Sequence, residues 1–169
     1  AQLLSKHRRR GKVPFLVADD NHHKLSCVSA FSDDYAFNNC SALKEIYLPD
    51  AITYIGDYAF YNCGKLETVV FAENSKLTTL GAYTFQNCVG LKEITVPGSV
   101  KKIGYDAFNY CRNLETMSVE RTNTVYDSRN NCNAIIETAT KSLVLGCKNT
   151  IIPEDVTSIG TSAFEGCTG

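Results

Sequence analysis

The repeat-bearing body of this 169-residue chain has no histidine; His7, His22 and His23 all fall within the first 24 residues. A body without imidazole is poorly supplied with general bases and with the commonest metal ligand. No apolar run approaches the roughly 18 residues that a membrane-spanning helix needs. The best signal-like core, Val13-Pro14-Phe15-Leu16-Val17-Ala18, is short and interrupted by proline. No Cys-x-x-Cys occurs, which removes zinc-knuckle and thioredoxin-like readings. A net charge of −1 gives no general pull towards nucleic acid or anionic membrane.

That charge is unevenly placed. Residues 1–24 carry Lys6, Arg8, Arg9, Arg10, Lys12 and Lys24 against Asp19 and Asp20, a net +4, which leaves −5 for the rest. One short basic run without interleaved aromatics reads as a solvated terminus rather than a nucleic-acid site. Asp19, Asp20, His22 and His23 have no further ligand at helical or knuckle spacing, so no zinc site is expected. Residues 1–24 are therefore expected to be a non-repeat basic segment, mobile or capping, ahead of a repeat body over 25–169. The chain opens on Ala1 and stops mid-repeat at Gly169, so it is expected to be part of a longer protein.

What the chain does have is one phrase said again and again. Phe37, Phe60, Phe85, Phe108 and Phe164 are each followed three places later by Cys40, Cys63, Cys88, Cys111 and Cys167. The intervals between the phenylalanines are 23, 25, 23 and 56. A period in the twenties marks a solenoid, in which each unit buries its core only against its neighbours.

Within one unit, Leu43, Ile46 and Leu48 precede Pro49, and the last two apolar residues leave the same face of an extended segment. Ile52 and Ile55 then point inward, Gly56 permits a tight turn, and Ile55, Ala59, Phe60 and Cys63 share one face of a short helical turn. Leu66, Val69 and Phe71 repeat the strand, as do Leu91, Ile94 and Val96, and Leu114, Met117 and Val119. Aligning Pro153 with Pro49 and Pro97 puts a fifth strand near 147–152. Lys44, Glu67, Lys92 and Glu115 form an alternating charged row that fits a parallel stacking register.

The phrase Cys40-x-x-Leu43-x-x-Ile46-x-Leu48-Pro49-x-x-Ile52-x-x-Ile55-Gly56-x-x-Ala59-Phe60 resembles the BspA-like leucine-rich repeats, over about residues 28–169 and most weakly across 120–149. The resemblance implies a curved leucine-rich-repeat solenoid; with the residue pattern this gives a parallel β-ladder on the concave face, short helical turns on the convex side and one inserted β-hairpin. It also implies an exported or surface-attached protein used in adhesion to host, matrix or neighbouring-cell proteins.

The hairpin is expected at about 120–149, from Asn133-Ala134-Ile135-Ile136-Glu137 and Ser142-Leu143-Val144-Leu145-Gly146 separated by 138–141, and projecting from the solenoid. Asp127, Asn131 and Asn133 offer oxygen ligands, but Arg129 lies among them and the calcium-loop glycine is missing, so they read as turn formers. The recurring cysteines read as small hydrophobes with free thiols, because stacked copies have parallel Cβ vectors. Cys27 and Cys132 fall outside that pattern.

No catalytic residue, cofactor or metal is assigned. Strand alternation turns Glu45 and Tyr47, Thr68 and Val70, Glu93 and Thr95, and Thr116 and Ser118 outward as a concave binding band. The alternative surface is a convex tyrosine stripe of Tyr35, Tyr58 and Tyr83, whose other reading is a row sealing the coils together. The function expected is non-enzymatic binding of a protein partner at the cell surface or outside the cell. A passive spacer displaying another domain is the alternative, and end-to-end self-association is expected of an uncapped solenoid. An enzyme on a parallel β-helix is disfavoured, since the strand-face acids Glu45 and Glu93 lie two repeats apart, roughly 10 Å by coil spacing.

Overall fold

A computed structural model describes residues 16–18, 24–27 and 33–168. The basic run at 6–10 and the histidines lie outside the described residues, as does the side chain of Cys27. Strands β1 (Leu16–Ala18) and β2 (Lys24–Cys27) pair antiparallel, and β2 then pairs in parallel with β3 (Glu45–Leu48). β4 (Tyr54–Ile55) starts a second ladder, and β5 (Thr68–Phe71) continues the first against β3. β6 (Thr79–Leu80), β7 (Glu93–Val96), β8 (Lys102–Ile103) and β9 (Thr116–Val119) follow in the same alternation. The long strands form the ladders β2–β3–β5 and β7–β9, and the short ones form β4–β6–β8, all parallel. The chain is a leucine-rich-repeat solenoid.

The core runs between these ladders as columns of like residues. Phe37, Phe60, Phe85 and Phe108 stack at centroid distances of 5.0, 5.1 and 5.3 Å with rings within 14° of parallel. Leu43, Leu66, Leu91 and Leu114 form a second buried column, and Ile55 and Leu80 a third. Each fully buried phenylalanine or leucine contributes roughly 1.5–3 kcal/mol over its exposed state. Gly104 serves this packing by close approach: a Cβ there would sit 2.3 Å from the Ala82 nitrogen of the preceding coil.

The turns expected to be helical take another form. Tyr58 and Asn62 flank Phe60 at φ of 57° and 60°, and Tyr35/Asn39 and Tyr83/Asn87 repeat the arrangement. These left-handed residues break any run of i→i−4 bonds. Instead the Tyr58, Phe60 and Asn62 amides donate to the carbonyls of Ala82, Thr84 and Gln86 at 2.9, 2.8 and 2.9 Å, so the turn itself becomes a ladder between coils. Asparagine tolerates this conformation, whereas tyrosine does so at a cost of about 1–2 kcal/mol. The tyrosines recover it by stacking: Tyr35 on Tyr58 at 4.8 Å and Tyr58 on Tyr83 at 4.5 Å. The asparagine side chains form their own ladder, with Asn62 Nδ2 donating to Asn39 Oδ1 and Asn87 Nδ2 to Asn62 Oδ1, both at 2.6 Å.

The inserted hairpin is present but does not project. β10 (Tyr126–Asp127), a 3₁₀ turn at Arg129–Asn131, β11 (Ala134–Glu137) and β12 (Ser142–Gly146) fold into the stack, and β12 pairs in parallel with β13 (Ser158–Ile159). Ala134, Ile135, Ile136 and Leu143 are fully buried, which a projecting hairpin would not allow. The strand expected at 147–152 is likewise displaced to β12; Cys147 caps its end in the core, while Ile151 and Ile152 are exposed. Gly146 occupies the phenylalanine place of its coil, and the Phe164 ring fills the space, 2.2 Å from where a Cβ would stand.

Arg129 ties the insertion down. Its Nε and Nη2 donate to the two oxygens of Asp127 at 2.8 and 2.6 Å, Thr138 donates to the same carboxylate, and Nη1 reaches Asp155. Hydrogen bonding to Arg129 holds the Asp127 carboxyl below its usual range. A depressed folded-state value contributes stability above the unfolded pKa, which is lost as pH falls through the folded value. Asp127→Asn is expected to flatten the acid limb of a thermal-midpoint profile below about pH 4, with little change in its shape at neutral pH. Phe85→Ala, which opens the aromatic column, is expected to cost about 3–5 kcal/mol in urea unfolding. A loss under about 1 kcal/mol would show that the column does not hold the coils.

Candidate functional site

The register of the long strands sets the outward rows. Glu45 pairs with Thr68 and Tyr47 with Val70 across β3 and β5; Glu93 pairs with Thr116 and Thr95 with Ser118 across β7 and β9. The residues between them, Ile46, Leu48, Ile94, Val96 and Met117, are buried, so the odd-even pattern separates core from surface. Tyr47 and Val70 are each 37% exposed and lie side by side, an apolar pair of adjacent side chains on an otherwise polar face. The Thr95 and Ser118 hydroxyls lie 2.8 Å apart and share a hydrogen bond. Lys44, Glu67, Lys92 and Glu115 border this band and are all exposed. Among them the ion pair that forms is from outside the row, Lys148 to Glu115 at 3.7 Å.

On the opposite side the tyrosines spend their ring faces on one another. Tyr35, Tyr58 and Tyr83 form one stack, and Tyr105 closes it edge-on at 4.8 Å from Tyr83. Tyr58 and Tyr83 are half-buried, while Tyr35 at the head of the stack is 49% exposed. A partner meets ring edges and hydroxyls along most of this stripe, and open ring surface chiefly at its ends.

The cysteines form a chemically quiet column. Each thiol donates to the carbonyl of the phenylalanine one coil back: Cys63 to Phe37 at 3.1 Å, Cys88 to Phe60 at 3.2 Å and Cys111 to Phe85 at 3.1 Å. Cys167 completes the series on Gly146, the glycine in a phenylalanine place, at 3.5 Å. All described cysteines are free, including Cys132 and Cys147. Burial pushes the Cys111 thiol up to about 12 and raises Cys88 as well. Cys63 is raised by its contact with Cys40 and by burial, and Cys40, half-exposed, is lowered by that same contact. Asp127 and Asn133, the oxygen-bearing turn residues, are engaged with Arg129 and with the Asn149 carbonyl. Among the described residues no group of His, Cys, Asp and Glu is gathered as a metal would need.

The strand-face band and the tyrosine row were both visible as spacing. The amide ladder of Asn39, Asn62 and Asn87 was not, although asparagine at one fixed turn position is the residue a left-handed turn prefers. Buried, hydrogen-bonded thiols should resist a thiol-reactive disulfide reagent. Cys63, Cys88 and Cys111 are expected to stay unmodified in the native protein and to react on denaturation, with Cys40 and Cys167 labelled first. Prompt native labelling of Cys88 would place that column at the surface.

A family model described as a BspA type leucine rich repeat region matches residues 32–135 and 134–169, in 6 copies. The solved structure of the pneumococcal vaccine antigen PcpA is similar at TM-score 0.64 and 27% identity, over 72% of this chain and 31% of PcpA. A leucine-rich repeat protein from Eubacterium ventriosum aligns at TM-score 0.60 and 19% identity, over 92% of this chain and 56% of its own. One from T. pallidum aligns at TM-score 0.51 and 21% identity, over 94% and 88%. The chain thus spans less than two thirds of the first two. No curated protein matches it. Among the described residues no helix is long and apolar enough to cross a membrane.

Proposed function

This chain belongs to the BspA-type leucine-rich-repeat family, and from that premise we propose that it is a non-enzymatic adhesion module of a surface or secreted protein. Its partner is a protein of a host, a matrix or a neighbouring cell, held on the concave strand face. The repeat family is one of protein-interaction modules and is typically non-enzymatic. The likeness to a vaccine antigen supports placement at the cell surface. The observation that carries the choice of face is the pairing of Tyr47 with Val70 at equal exposure, on strands whose intervening residues are buried at Ile46 and Leu48 and half-buried at Val69 and Phe71.

Binding works by addition. The columns beneath hold the strands in place, so residues on the outward rows change without disturbing the fold. A buried aromatic at the centre of such a patch typically contributes more than 1 kcal/mol to association, and its charged surroundings contribute mainly to rate and selectivity. The spacer alternative draws support from the unbroken aromatic and amide columns, which make a stiff rod.

The test is a pull-down from host-cell-surface and extracellular-matrix extracts with the wild type, Tyr47→Ala, Glu93→Ala and Tyr35→Ala. Recovery of a partner is expected to fall about tenfold for Tyr47→Ala and less for Glu93→Ala. Thermal midpoints of Tyr47→Ala and Glu93→Ala are expected to move by no more than about 2 °C, as befits surface substitutions, whereas Tyr35→Ala, which removes a ring from the stack, is expected to lower the midpoint further. Loss of the partner with Tyr35→Ala alone moves the site to the convex stripe. No partner for any form leaves the spacer.

A further inference from the structure

The strand-face ladder is interrupted at one place. β5 pairs with β3 and β7 pairs with β9, but β5 and β7 belong to separate sheets. The same coils are joined at several other places around their circumference. Phe60 stacks on Phe85 at 5.1 Å, and β6 pairs with β8. Gly90 lies against the Leu66 carbonyl, 3.0 Å from where a Cβ would stand. The Lys101 amide donates to the Thr78 carbonyl at 2.8 Å. Between these fastenings lies an open seam, with 67–76 on one side and 92–99 on the other.

Its origin is in the sequence. The Phe60–Phe85 interval is 25 rather than 23, and the extra residues fall between Phe71 and Leu77, in the span that runs from Leu48 to Ile52 and from Val96 to Val100 in the coils on either side. The effect on packing is visible in β5. Val69 and Phe71 are only half-buried, whereas Ile46, Leu48, Ile94 and Val96, at the same places on β3 and β7, are buried. Ser99, on the far side of the seam, has a buried hydroxyl with no hydrogen-bond partner.

The hydrogen-bond parity of the flanking ladders tells which backbone groups face the seam. Thr68 and Ala72 donate to the Lys44 and Leu48 carbonyls, so alternation directs Val69 and Phe71 away from β3. Thr116 and Glu120 accept direction from the other side, donating to Lys92 and Val96, so Glu93 and Thr95 face away from β9. The seam is therefore edged by N–H and C=O groups of Val69 and Phe71 on one strand and of Glu93 and Thr95 on the other. Such edges are templates for another strand.

We propose that the seam between β5 and β7 is a strand-capture site, where an extended segment of a protein partner enters the concave sheet as an added strand. Only a peptide backbone supplies donors and acceptors alternating on both of its edges, and main-chain pairing of this kind is an established mode of peptide recognition. Alternate apolar side chains of the guest would cover Val69 and Phe71, and its other residues would join Val70 on the outward face. The continuous β4–β6–β8 ladder and the phenylalanine column act as the hinge that keeps the coils together while the seam parts. This inference rests on the concave face being the contact surface.

The probe is a synthetic peptide with the sequence of residues 43–49, LKEIYLP, together with the same peptide N-methylated at alternate residues. Residue-resolved hydrogen exchange on the full chain comes first. The amides of Val69, Phe71, Glu93 and Thr95 should exchange at least about 100-fold faster than those of Val70 and Ile94. Added peptide should protect these four amides, and the methylated form should bind at least about tenfold more weakly. Slow exchange of the four amides in the free protein, equal binding of the methylated peptide, or no binding of either overturns strand capture. Binding that Tyr47→Ala weakens while the four amides stay unprotected also overturns it, and leaves the concave face standing as a surface for side-chain contact. A protein partner lost with Tyr35→Ala but not with Tyr47→Ala removes the concave reading itself.

Discussion

Every coil in this protein is shaped by the coil beside it, and the turn ladder is where that dependence is strictest. The residues at φ near 60° on either side of each phenylalanine swing alternate amides towards the next coil, where a helix would have turned them back on itself. Once those amides are committed to a neighbour, the phenylalanine between them has one place to go, onto the ring before it. The strand registers and the cysteine thiols then follow, since both are measured from that ring. Tyrosine in a left-handed conformation is tenable because its stacking partner is supplied by the same repetition.

This interdependence gives the surface its freedom. With burial handled by columns of Phe, Leu, Ile and Cys, the outward strand positions vary from Glu45 to Thr116 and from Tyr47 to Ser118 without a packing penalty. The stacked tyrosines are in the opposite situation, because each is at least partly accessible and also a support for its neighbour. A change there alters recognition and folding together, which makes them the poorer place to tune binding.

Periodicity made the columns legible in the sequence. The five Phe–Cys pairs, the strand positions around Ile46 and Ile94, and the outward rows could be read because each recurs at a fixed step and needs only neighbours of its own kind. The features that escaped are those whose cause is not periodic. The pairing of β11 with β12 shifts register between Ile135 and Ile136, and Gly146 at the end of β12 leaves room for a ring that arrives 18 residues later in the chain. The left-handed turns were masked because Ile55, Ala59, Phe60 and Cys63 fit a helical spacing equally well. The extra length between Phe71 and Leu77 was plain as a number, but its effect on pairing is decided by how the coils on both sides are fastened.

Gly146 and Phe164 also bear on how such a chain changes over generations. Elsewhere a whole coil can be copied or deleted by unequal recombination, since the flanking columns meet again on identical residues. Across the stretch that holds this pair that is not so: a breakpoint separating the glycine from its ring would either leave a hole beside the cluster of Ala134, Ile136, Leu143 and Ala163 or force a side chain into an occupied slot. The part of the gene encoding residues 146–164 is thus expected to be inherited as a block, while the number of ordinary coils before it drifts.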